Sequence, residues 1–225
     1  CSTACYAENN LAVVGKDNFE KGQAMHWLRV ERYWDVSERN LTAEHPEQGA
    51  TFTPMMCQQC HAATCEPVCP VAATYHTPDG LNAQIYNRCI GSRYCSNNCP
   101  YRNRYFNFYS YYETSWPDPL HLQLNPDITV RDKGVMEKCT FCVQRIREAK
   151  DTASRENREI KDGEITPACA QACPTSAIVF GDLKDPHSQV SKVWSRHQVE
   201  LNKFSDTKAN DDLRGYRVLE ELNTE

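Results

Sequence analysis

The spacing of thirteen cysteines is the feature that most constrains this chain of 225 residues. The cysteines fall into four runs, and three runs end with two cysteines that are separated by three residues and followed by a proline. These endings are Cys65-x3-Cys69-Pro70, Cys95-x3-Cys99-Pro100 and Cys169-x3-Cys173-Pro174. The second and fourth runs also contain a Cys-x2-Cys pair, at Cys57/Cys60 and Cys139/Cys142. Such regular spacing indicates that the cysteines are ligands.

Three uses of cysteine compete for this pattern. A disulfide framework is typical of shorter chains, and an odd number of cysteines would leave one thiol unpaired. Structural zinc uses Cys-x2-Cys pairs, but it does not account for the repeated endings before proline. Those endings are typical of bacterial ferredoxin-type iron–sulfur clusters, in which the last cysteine of one run binds the neighbouring cluster. The sequence therefore predicts iron–sulfur clusters and electron transfer.

The third run lacks one cysteine, because Ser92 stands between Cys89 and Cys95 where the pattern expects a thiol. A cubane corner without a thiolate can lose its iron, so we expect a [3Fe–4S] cluster here. Two alternatives stay open. Ser92 binds iron through its hydroxyl group, a harder ligand of higher pKa than a thiolate, or the gap is accidental.

The first run consists only of Cys1 and Cys5. A complete run would carry two further cysteines before Cys1. We therefore expect the chain to begin inside a longer polypeptide.

Composition excludes several other functions. The net charge of −5 argues against nucleic acid as a partner, since phosphate binding requires a basic face. No apolar stretch approaches the roughly 18 residues of a membrane-spanning helix. The seven histidines form no His-x3-His pair, and no glycine-rich loop cradles a phosphate. We expect a subunit without catalytic residues that docks on a membrane protein.

The pattern of apolar residues and turn residues predicts a mixed α+β fold. The expected elements are strands over 25–34 and 176–180, a hairpin over 73–86 that turns at Pro78-Asp79-Gly80, and helices over 143–150 and 188–197. A proline-punctuated insertion over 114–134 either lies on the surface or wraps a partner subunit. The pattern suits two pseudo-symmetric halves of the bacterial ferredoxin-like (4Fe–4S) type, one nested in the other.

The four runs resemble those of the four-cluster iron–sulfur subunits of the complex iron–sulfur molybdoenzyme superfamily. Between Cys1 and about Pro186, several segments are similar to the iron–sulfur domain of the B subunit of alternative complex III. The segments are CYAENN (5–10), MHWLRVERYW (25–34), PMMCQQC (54–60), CEPVCPVAATYH (65–76), GLNAQIYNRCIGSRYCSNNCPY (80–101) and GVMEKCTFCVQRI (134–146).

This resemblance implies that the runs pair in a nested order, in which the second run pairs with the third and the first run pairs with the fourth. The pairs form four sites that together use every cysteine. Site 1 is half of a [4Fe–4S] site, with Cys1 and Cys173. Site 2 holds a [4Fe–4S] cluster with Cys5, Cys139, Cys142 and Cys169. Site 3 holds another with Cys57, Cys60, Cys65 and Cys99. Site 4 holds the [3Fe–4S] cluster with Cys69, Cys89 and Cys95, beside Ser92. The full complement is three [4Fe–4S] clusters and one [3Fe–4S] cluster.

The resemblance also implies a setting. The implied setting is a quinol-oxidising respiratory or photosynthetic complex on the periplasmic side of a bacterial inner membrane, to which the chain would attach peripherally. The implied partners are an integral-membrane quinol-binding subunit, c-type haem subunits and a molybdoenzyme-like region of the same polypeptide. Residues 1–186 would form the four-cluster domain, and residues 187–225 a helix and tail that contact partners.

Two other functions remain open. One is the electron-transfer subunit of an active molybdopterin oxidoreductase acting on polysulfide, tetrathionate or sulfite, and the other is a zinc-stabilised scaffold. The string Cys57-x2-Cys60-His61 matches a haem attachment site, but Cys65 and Cys69 complete a cluster run there instead.

Basic residues beside the cysteines are candidates for tuning reduction potentials, because positive charge favours the reduced cluster. The candidates are Arg88, Arg93, Lys138 and Arg145.

Overall fold

A computed structural model describes residues 1–34, 50–110, 118–196 and 217–218. Over these ranges the chain forms both helices and short strands. The helices are α1 (Ser2–Glu8), α2 (Lys16–Glu20), α3 (Tyr94–Asn97), α4 (Val143–Arg155), α5 (Ala168–Gln171) and α6 (Gln189–Arg196), with 3-10 turns at Tyr86–Arg88 and Leu120–Gln123. The strands are β1 (Leu28–Trp34), β2 (Ala50–Met56), β3 (Thr74–His76), β4 (Asn82–Gln84), β5 (Tyr105–Phe106), β6 (Met136–Glu137), β7 (Ile178–Val179) and β8 (Arg217–Val218). The predicted α+β class is confirmed.

The strands pair as four antiparallel two-stranded sheets within the described ranges. In the longest sheet, β1 and β2 pair from Leu28↔Met56 to Trp34↔Ala50. The β5–β6 pair sets Tyr105 opposite Glu137 and Phe106 opposite Met136. This short ladder therefore holds the segment after the third cysteine run beside the segment that enters the fourth.

The predicted hairpin is confirmed, with β3 and β4 paired from Thr74↔Gln84 to His76↔Asn82. Its turn closes through backbone hydrogen bonds from Thr77 N to Leu81 O and from Gly80 N to Thr77 O, both 2.8 Å long. Gly80 has φ +79°, a conformation that glycine adopts without steric cost.

The other predicted elements form with changed limits. The strand expected over 25–34 begins at Leu28, and the helix expected over 143–150 continues to Arg155. The strand expected over 176–180 is reduced to Ile178–Val179, because Ser176 has φ +53° and cannot be extended. The last predicted helix is α6, which Ser188 caps by accepting a hydrogen bond from Ser191 N at 3.2 Å. His197 lies outside the described residues.

Two hydrophobic clusters form the core, and both contain cysteines. The larger cluster packs Trp27, Leu28 and Met56 around Cys5, Cys139 and Cys169. The smaller one packs Met136 and Ala63 against Cys65 and Cys95, with Phe106 at its edge. The cysteine sites are therefore inside the folded core.

A buried polar group lies beside the larger cluster. Arg131 Nη2 pairs with Glu137 Oε2 at 3.0 Å, and both side chains are 2% exposed. Trp27 Nε1 donates to the same carboxylate at 3.2 Å, and the Arg131 guanidinium lies 5.0 Å from the centre of the Trp27 ring. This group fixes β6, which leads into Cys139.

The described part of the 114–134 insertion, from residue 118 onward, is tied to the segment after α1. Asn10 Nδ2 donates to Asn125 O at 2.8 Å and to Ile128 O at 2.7 Å, and Asn125 Nδ2 donates to Glu8 O at 2.8 Å. Leu120 and Leu122 in this segment are exposed. Within the described ranges no helix is long and apolar enough to cross a membrane.

Candidate iron–sulfur sites

All thirteen cysteines lie in the described residues, and each is a free thiol. Six of them are buried, namely Cys5, Cys65, Cys95, Cys139, Cys142 and Cys169, and the others are half-buried. Across the described ranges, no three His, Cys, Asp or Glu side chains are arranged to hold a single metal ion. A polynuclear cluster places its thiolates on different irons, so its ligands need not converge on one point.

The site 3 cysteines come together from two different runs. Burial raises the pKa of Cys60 to about 12, and the charges of Cys57, Cys99 and Cys65 add to the rise. Charges act strongly on one another only at short range inside a protein. Thr64 Oγ1 donates to Asn98 O at 2.8 Å and Asn98 Nδ2 donates to Thr64 O at 3.0 Å. These bonds join the residue before Cys65 to the residue before Cys99, so the last cysteine of the third run lies beside the second run.

The site 2 cysteines also come together, from opposite ends of the sequence. Burial raises the pKa of Cys5 well above its ordinary value, and the charges of Cys142 and Cys169 add to it. Burial also raises the pKa of Cys139, with additions from Cys5 and Cys169. Cys57 packs against the hydrophobic cluster that contains Cys5, Cys139 and Cys169, so sites 2 and 3 adjoin.

The site 4 cysteines form the third group. Burial raises the pKa of Cys95, and the charges of Cys89 and Cys69 add to the rise, while Arg104 opposes it by its charge and by a hydrogen bond. Met136 N donates to Cys89 Sγ at 3.4 Å. This group again joins two runs, because Cys69 ends the second run and the other two belong to the third.

The two site 1 cysteines lie at helix ends. Cys1 is the N-cap residue of α1 and packs against the core cluster that contains Cys5 and Cys169. Cys173 follows α5, and α1 packs against α5. A hydrogen bond with the Thr175 hydroxyl has the largest effect on the pKa of Cys173 and lowers it, and backbone N–H groups lower it further.

Three of the four run ends share one local conformation. In each, the last cysteine accepts a hydrogen bond at Sγ from the backbone N–H four residues later, and the residue before that donor has positive φ. The pairs are Cys69/Ala73 at 3.2 Å, Cys99/Asn103 at 3.5 Å and Cys173/Ala177 at 3.3 Å, and the positive-φ residues are Ala72, Arg102 and Ser176. Partial burial raises the pKa of Cys69, but backbone N–H groups outweigh it and lower the pKa below its ordinary value.

The first run ends differently because no proline follows its last cysteine. Pro70, Pro100 and Pro174 cannot continue a helix, whereas Tyr6 follows Cys5 and lets α1 continue to Glu8. This extension places the buried Asn9 side chain against the sulfurs of site 2. Asn9 Nδ2 lies 3.7 Å from Cys5 Sγ and 3.8 Å from Cys142 Sγ.

The donor set fits a positively charged polynuclear group. Metals bind thiolates, which repel one another and are costly to bury without an opposing charge. The buried thiols of sites 2, 3 and 4 have raised pKa values in the protein alone, for example about 11 at Cys169, where burial is the main cause. Iron would provide the positive charge that makes these thiols thiolates.

The four basic residues expected to tune the sites have different surroundings. Lys138 is fully buried, and its Nζ donates to Cys139 O at 3.0 Å. Arg145 pairs with Glu8 at 2.7 Å, which offsets its charge. Arg88 and Arg93 are exposed, and Arg93 lies 4.9 Å from the centre of the Phe106 ring.

Sequence reasoning missed Asn9 and Arg104. Asn9 follows the only run end without a proline, a local difference that could have directed attention to it. Arg104 is 4% exposed and lies in an aromatic stretch that gives no sign of a buried cation. Burial raises the pKa of Cys65, and the charges of both Arg104 and Lys138 oppose that rise.

The Ser92 loop passes close to another loop. Gly91 has φ +72°, and a Cβ atom there would lie 2.4 Å from Gly134 O and 2.9 Å from the Phe106 ring. Only glycine fits this close approach. The neighbouring Ser92 is exposed.

Comparison with known proteins shows the family to which the chain belongs. No protein-family model matches the chain. It is 38% identical over 229 residues to the iron–sulfur cluster-binding subunit of menaquinone reductase from Nitratidesulfovibrio vulgaris, covering 100% of this chain and 80% of the relative. It is 36% identical over 205 residues to iron–sulfur subunit 1 of the Hdr-like menaquinol oxidoreductase from Archaeoglobus fulgidus, covering 88% and 66%.

A third relative is the B component of polysulfide reductase from Wolinella succinogenes, which is 34% identical over 195 residues, covering 86% of this chain and 74% of the relative. The similarity to the menaquinone reductase subunit continues past Pro186, where the sequence resemblance ended. The chain belongs to the iron–sulfur electron-transfer subunits of the molybdopterin and Hdr-like oxidoreductase family.

Proposed function

We propose that this chain carries [4Fe–4S] clusters at sites 1, 2 and 3 and a [3Fe–4S] cluster at site 4, and conducts electrons between a membrane quinol site and a redox partner. The observation that supports the proposal most is that thiols from different runs raise one another's pKa values, in three groups. Each group contains the last cysteine of another run, as nested ferredoxin-like halves require.

The chain's own residues hold and shield these sites. Clusters bound there would accept and release single electrons. Short helices and backbone N–H groups orient the thiolates, while Trp27 and Met136, both almost fully buried, exclude water. Gln59 links two runs, since its Nε2 donates to Cys139 O at 2.9 Å and its Oε1 accepts from Asn82 N at 2.9 Å.

The complex we favour is a quinol-oxidising one of the alternative complex III type, with electrons leaving towards c-type haems. Two observations support it, namely the sequence segments between Cys1 and Pro186 and the relative named as a menaquinol oxidoreductase subunit. The relative from menaquinone reductase supports a quinone-linked complex but not the direction of electron flow. The partners would be an integral-membrane quinol-binding subunit, c-type haem subunits and a molybdoenzyme-like region. The chain would lie peripherally on the periplasmic side of the inner membrane.

A second candidate is the electron-transfer subunit of an active molybdopterin oxidoreductase. The relatives that are B components of polysulfide reductase and of tetrathionate reductase favour it. Metal analysis of the intact complex separates the two functions. Stoichiometric molybdenum favours the second candidate, and iron without molybdenum favours the first.

Electron paramagnetic resonance (EPR) of the intact complex, oxidised and then reduced, tests the cluster assignment. We expect an oxidised three-iron signal that weakens or vanishes in Ser92→Cys, because the new thiolate completes the cubane. Ser195→Cys adds an exposed thiol on α6 and serves as the control. An unchanged signal in Ser92→Cys contradicts the assignment, and zinc without iron contradicts the function itself.

Residues 187–225 would contact partner subunits rather than bind clusters. Truncation after Arg196 tests this division. Loss of complex assembly with unchanged cluster signals agrees with it, and loss of the cluster signals opposes it.

A further inference from the structure

Arg104 is a buried cation without a carboxylate partner in the part of the chain that the structure describes, and besides three neutral side chains it hydrogen-bonds to Cys95 of site 4. It lies immediately before β5 and is 4% exposed. Its Nη2 donates to Thr74 Oγ1 at 2.6 Å and to Asn82 Oδ1 at 2.5 Å, and its Nη1 donates to Gln84 Oε1 at 2.9 Å. These three acceptors belong to the β3–β4 hairpin and hold the guanidinium in one orientation.

The lack of a carboxylate partner sets Arg104 apart from two comparable arginines. Arg131 pairs with Glu137 at 3.0 Å, and Arg145 pairs with Glu8 at 2.7 Å. Among the described residues, no Asp or Glu forms an ion pair with Arg104. Burying a cation without an opposing charge is costly, so this position requires another source of negative charge.

The cysteines of sites 3 and 4 provide that charge. Asn82 Oδ1, which binds Arg104, lies 3.8 Å from Cys65 Sγ of site 3. On the other side, Arg104 O accepts a hydrogen bond from Ser96 Oγ at 3.0 Å, next to Cys95 of site 4. The charge of Arg104 interacts with cysteines of both sites, namely Cys65, Cys57, Cys95 and Cys99.

We propose that Arg104 is the shared counter-charge of sites 3 and 4 and keeps the reduction potentials of both clusters above those that their cysteine ligands alone would give. The inference rests on the proposed function, since it requires clusters at both sites. Reduction adds a negative charge to a cluster, and a nearby buried cation stabilises the reduced form. One residue thereby raises two potentials together.

The test is a redox titration of the intact complex, monitored by EPR, that compares wild-type protein with Arg104→Gln. In Arg104→Gln, poised at the wild-type midpoint potential of each site, we expect the ratio of reduced to oxidised cluster to fall about tenfold at both sites. For a one-electron couple this corresponds to a midpoint potential about 59 mV lower. The site 2 potential should stay unchanged. Arg104→Lys, which keeps a positive charge, should retain most of the wild-type potentials.

Two further variants complete the design. Gln84→Glu keeps Arg104 but gives it a carboxylate partner of nearly the same shape, so both potentials should again fall in a protein that still folds. Arg102→Gln removes an exposed cation two residues before Arg104, where water and salt screen the charge, and should change neither potential.

Unchanged potentials in both Arg104→Gln and Gln84→Glu would overturn the proposal if the clusters are retained. A shift at only one site would overturn the shared role. Absence of cluster signals from wild-type protein would instead overturn the proposed function, and iron content measured alongside separates that outcome from a failure of the Arg104 proposal.

Discussion

Asn9 Nδ2 lies 3.8 Å from Cys142 Sγ, although the two residues are 133 positions apart in the chain. The same amide donates to Cys5 O at 3.1 Å, so one buried side chain joins the first run to the fourth. Gln144 Nε2 in turn donates to Asn9 Oδ1 at 3.3 Å. Asn9 therefore orients both halves of site 2.

Replacement of Asn9 should weaken the fold and lower the site 2 potential. Asn9→Ala removes donors to two thiolates and leaves buried polar groups without partners, which we expect to reduce the free energy of unfolding by about 1–3 kcal/mol. Denaturant unfolding and a redox titration of site 2 measure the two effects. Asn18→Ala, which removes one donor to Val14 O, is the control. Equal effects in both variants would oppose a role at site 2.

Gly91→Ala should destabilise the protein through a steric clash. Its Cβ would meet Gly134 O at 2.4 Å, whereas a Cβ at Gly22, which has a similar φ of +74°, meets nothing within 4 Å. Gly22→Ala should cost only the left-handed strain of about 1–2 kcal/mol, and Gly91→Ala should cost more. Thermal unfolding of both variants separates the clash from the strain. We also expect the three-iron signal to weaken in Gly91→Ala alone.

Arg131→Met should be strongly destabilising, because it leaves the Glu137 carboxylate buried without its partner. We expect a loss of about 3–5 kcal/mol in the free energy of unfolding. Glu20→Gln breaks the exposed Lys16–Glu20 pair and should change little. A small loss in Arg131→Met would contradict the structural role of the buried pair.

The loss in Arg131→Met should also depend on pH. Burial raises the pKa of Glu137, and Arg131 opposes that rise, so removal of the arginine raises the pKa further. A carboxyl group with a raised pKa in the folded state stabilises the fold at low pH, and that contribution is lost as the pH rises through the folded pKa. The deficit should therefore shrink in acid, which unfolding measurements across pH would detect.

Removal of the clusters should destabilise the whole domain. The core is built around cysteines, with Cys5, Cys139 and Cys169 in one hydrophobic cluster and Cys65 and Cys95 in the other. A ligand that binds only the folded chain stabilises it. Iron extraction with a chelator should lower the unfolding temperature of the domain, which circular dichroism measures. An apo-protein with unchanged stability would contradict the placement of the clusters in the core.

Much of the fold could be predicted from local sequence. The Pro78-Asp79-Gly80 turn indicated the β3–β4 hairpin, and the apolar spacing of Val143 and Ile146 indicated α4. The β5–β6 pair could not be predicted, since two short strands separated by about thirty residues leave no periodic signal. The same holds for the shortening of β7, which depends on the left-handed conformation of Ser176.

The cysteine ligands of the candidate sites could be predicted from the sequence, but the residues that surround them could not. Spacing alone indicated cysteine ligands, because a cluster requires one thiolate for each liganded iron. The burial of Lys138 and Arg104 could not be predicted from the sequence, since it results from packing between segments that are distant in the chain. A charged residue beside a cysteine is exposed in one case, at Arg88, and completely enclosed in another, at Lys138.

The EPR spectrum of Cys99→Ser in the intact complex tests whether the second and third runs exchange their last cysteines. Cys99 belongs to the third run but lies with Cys60 and Cys57 of the second. We predict that the site 3 four-iron signal is lost or altered and that the three-iron signal of site 4 is retained. Loss of the three-iron signal with an unchanged four-iron signal would contradict the exchange of last cysteines between runs.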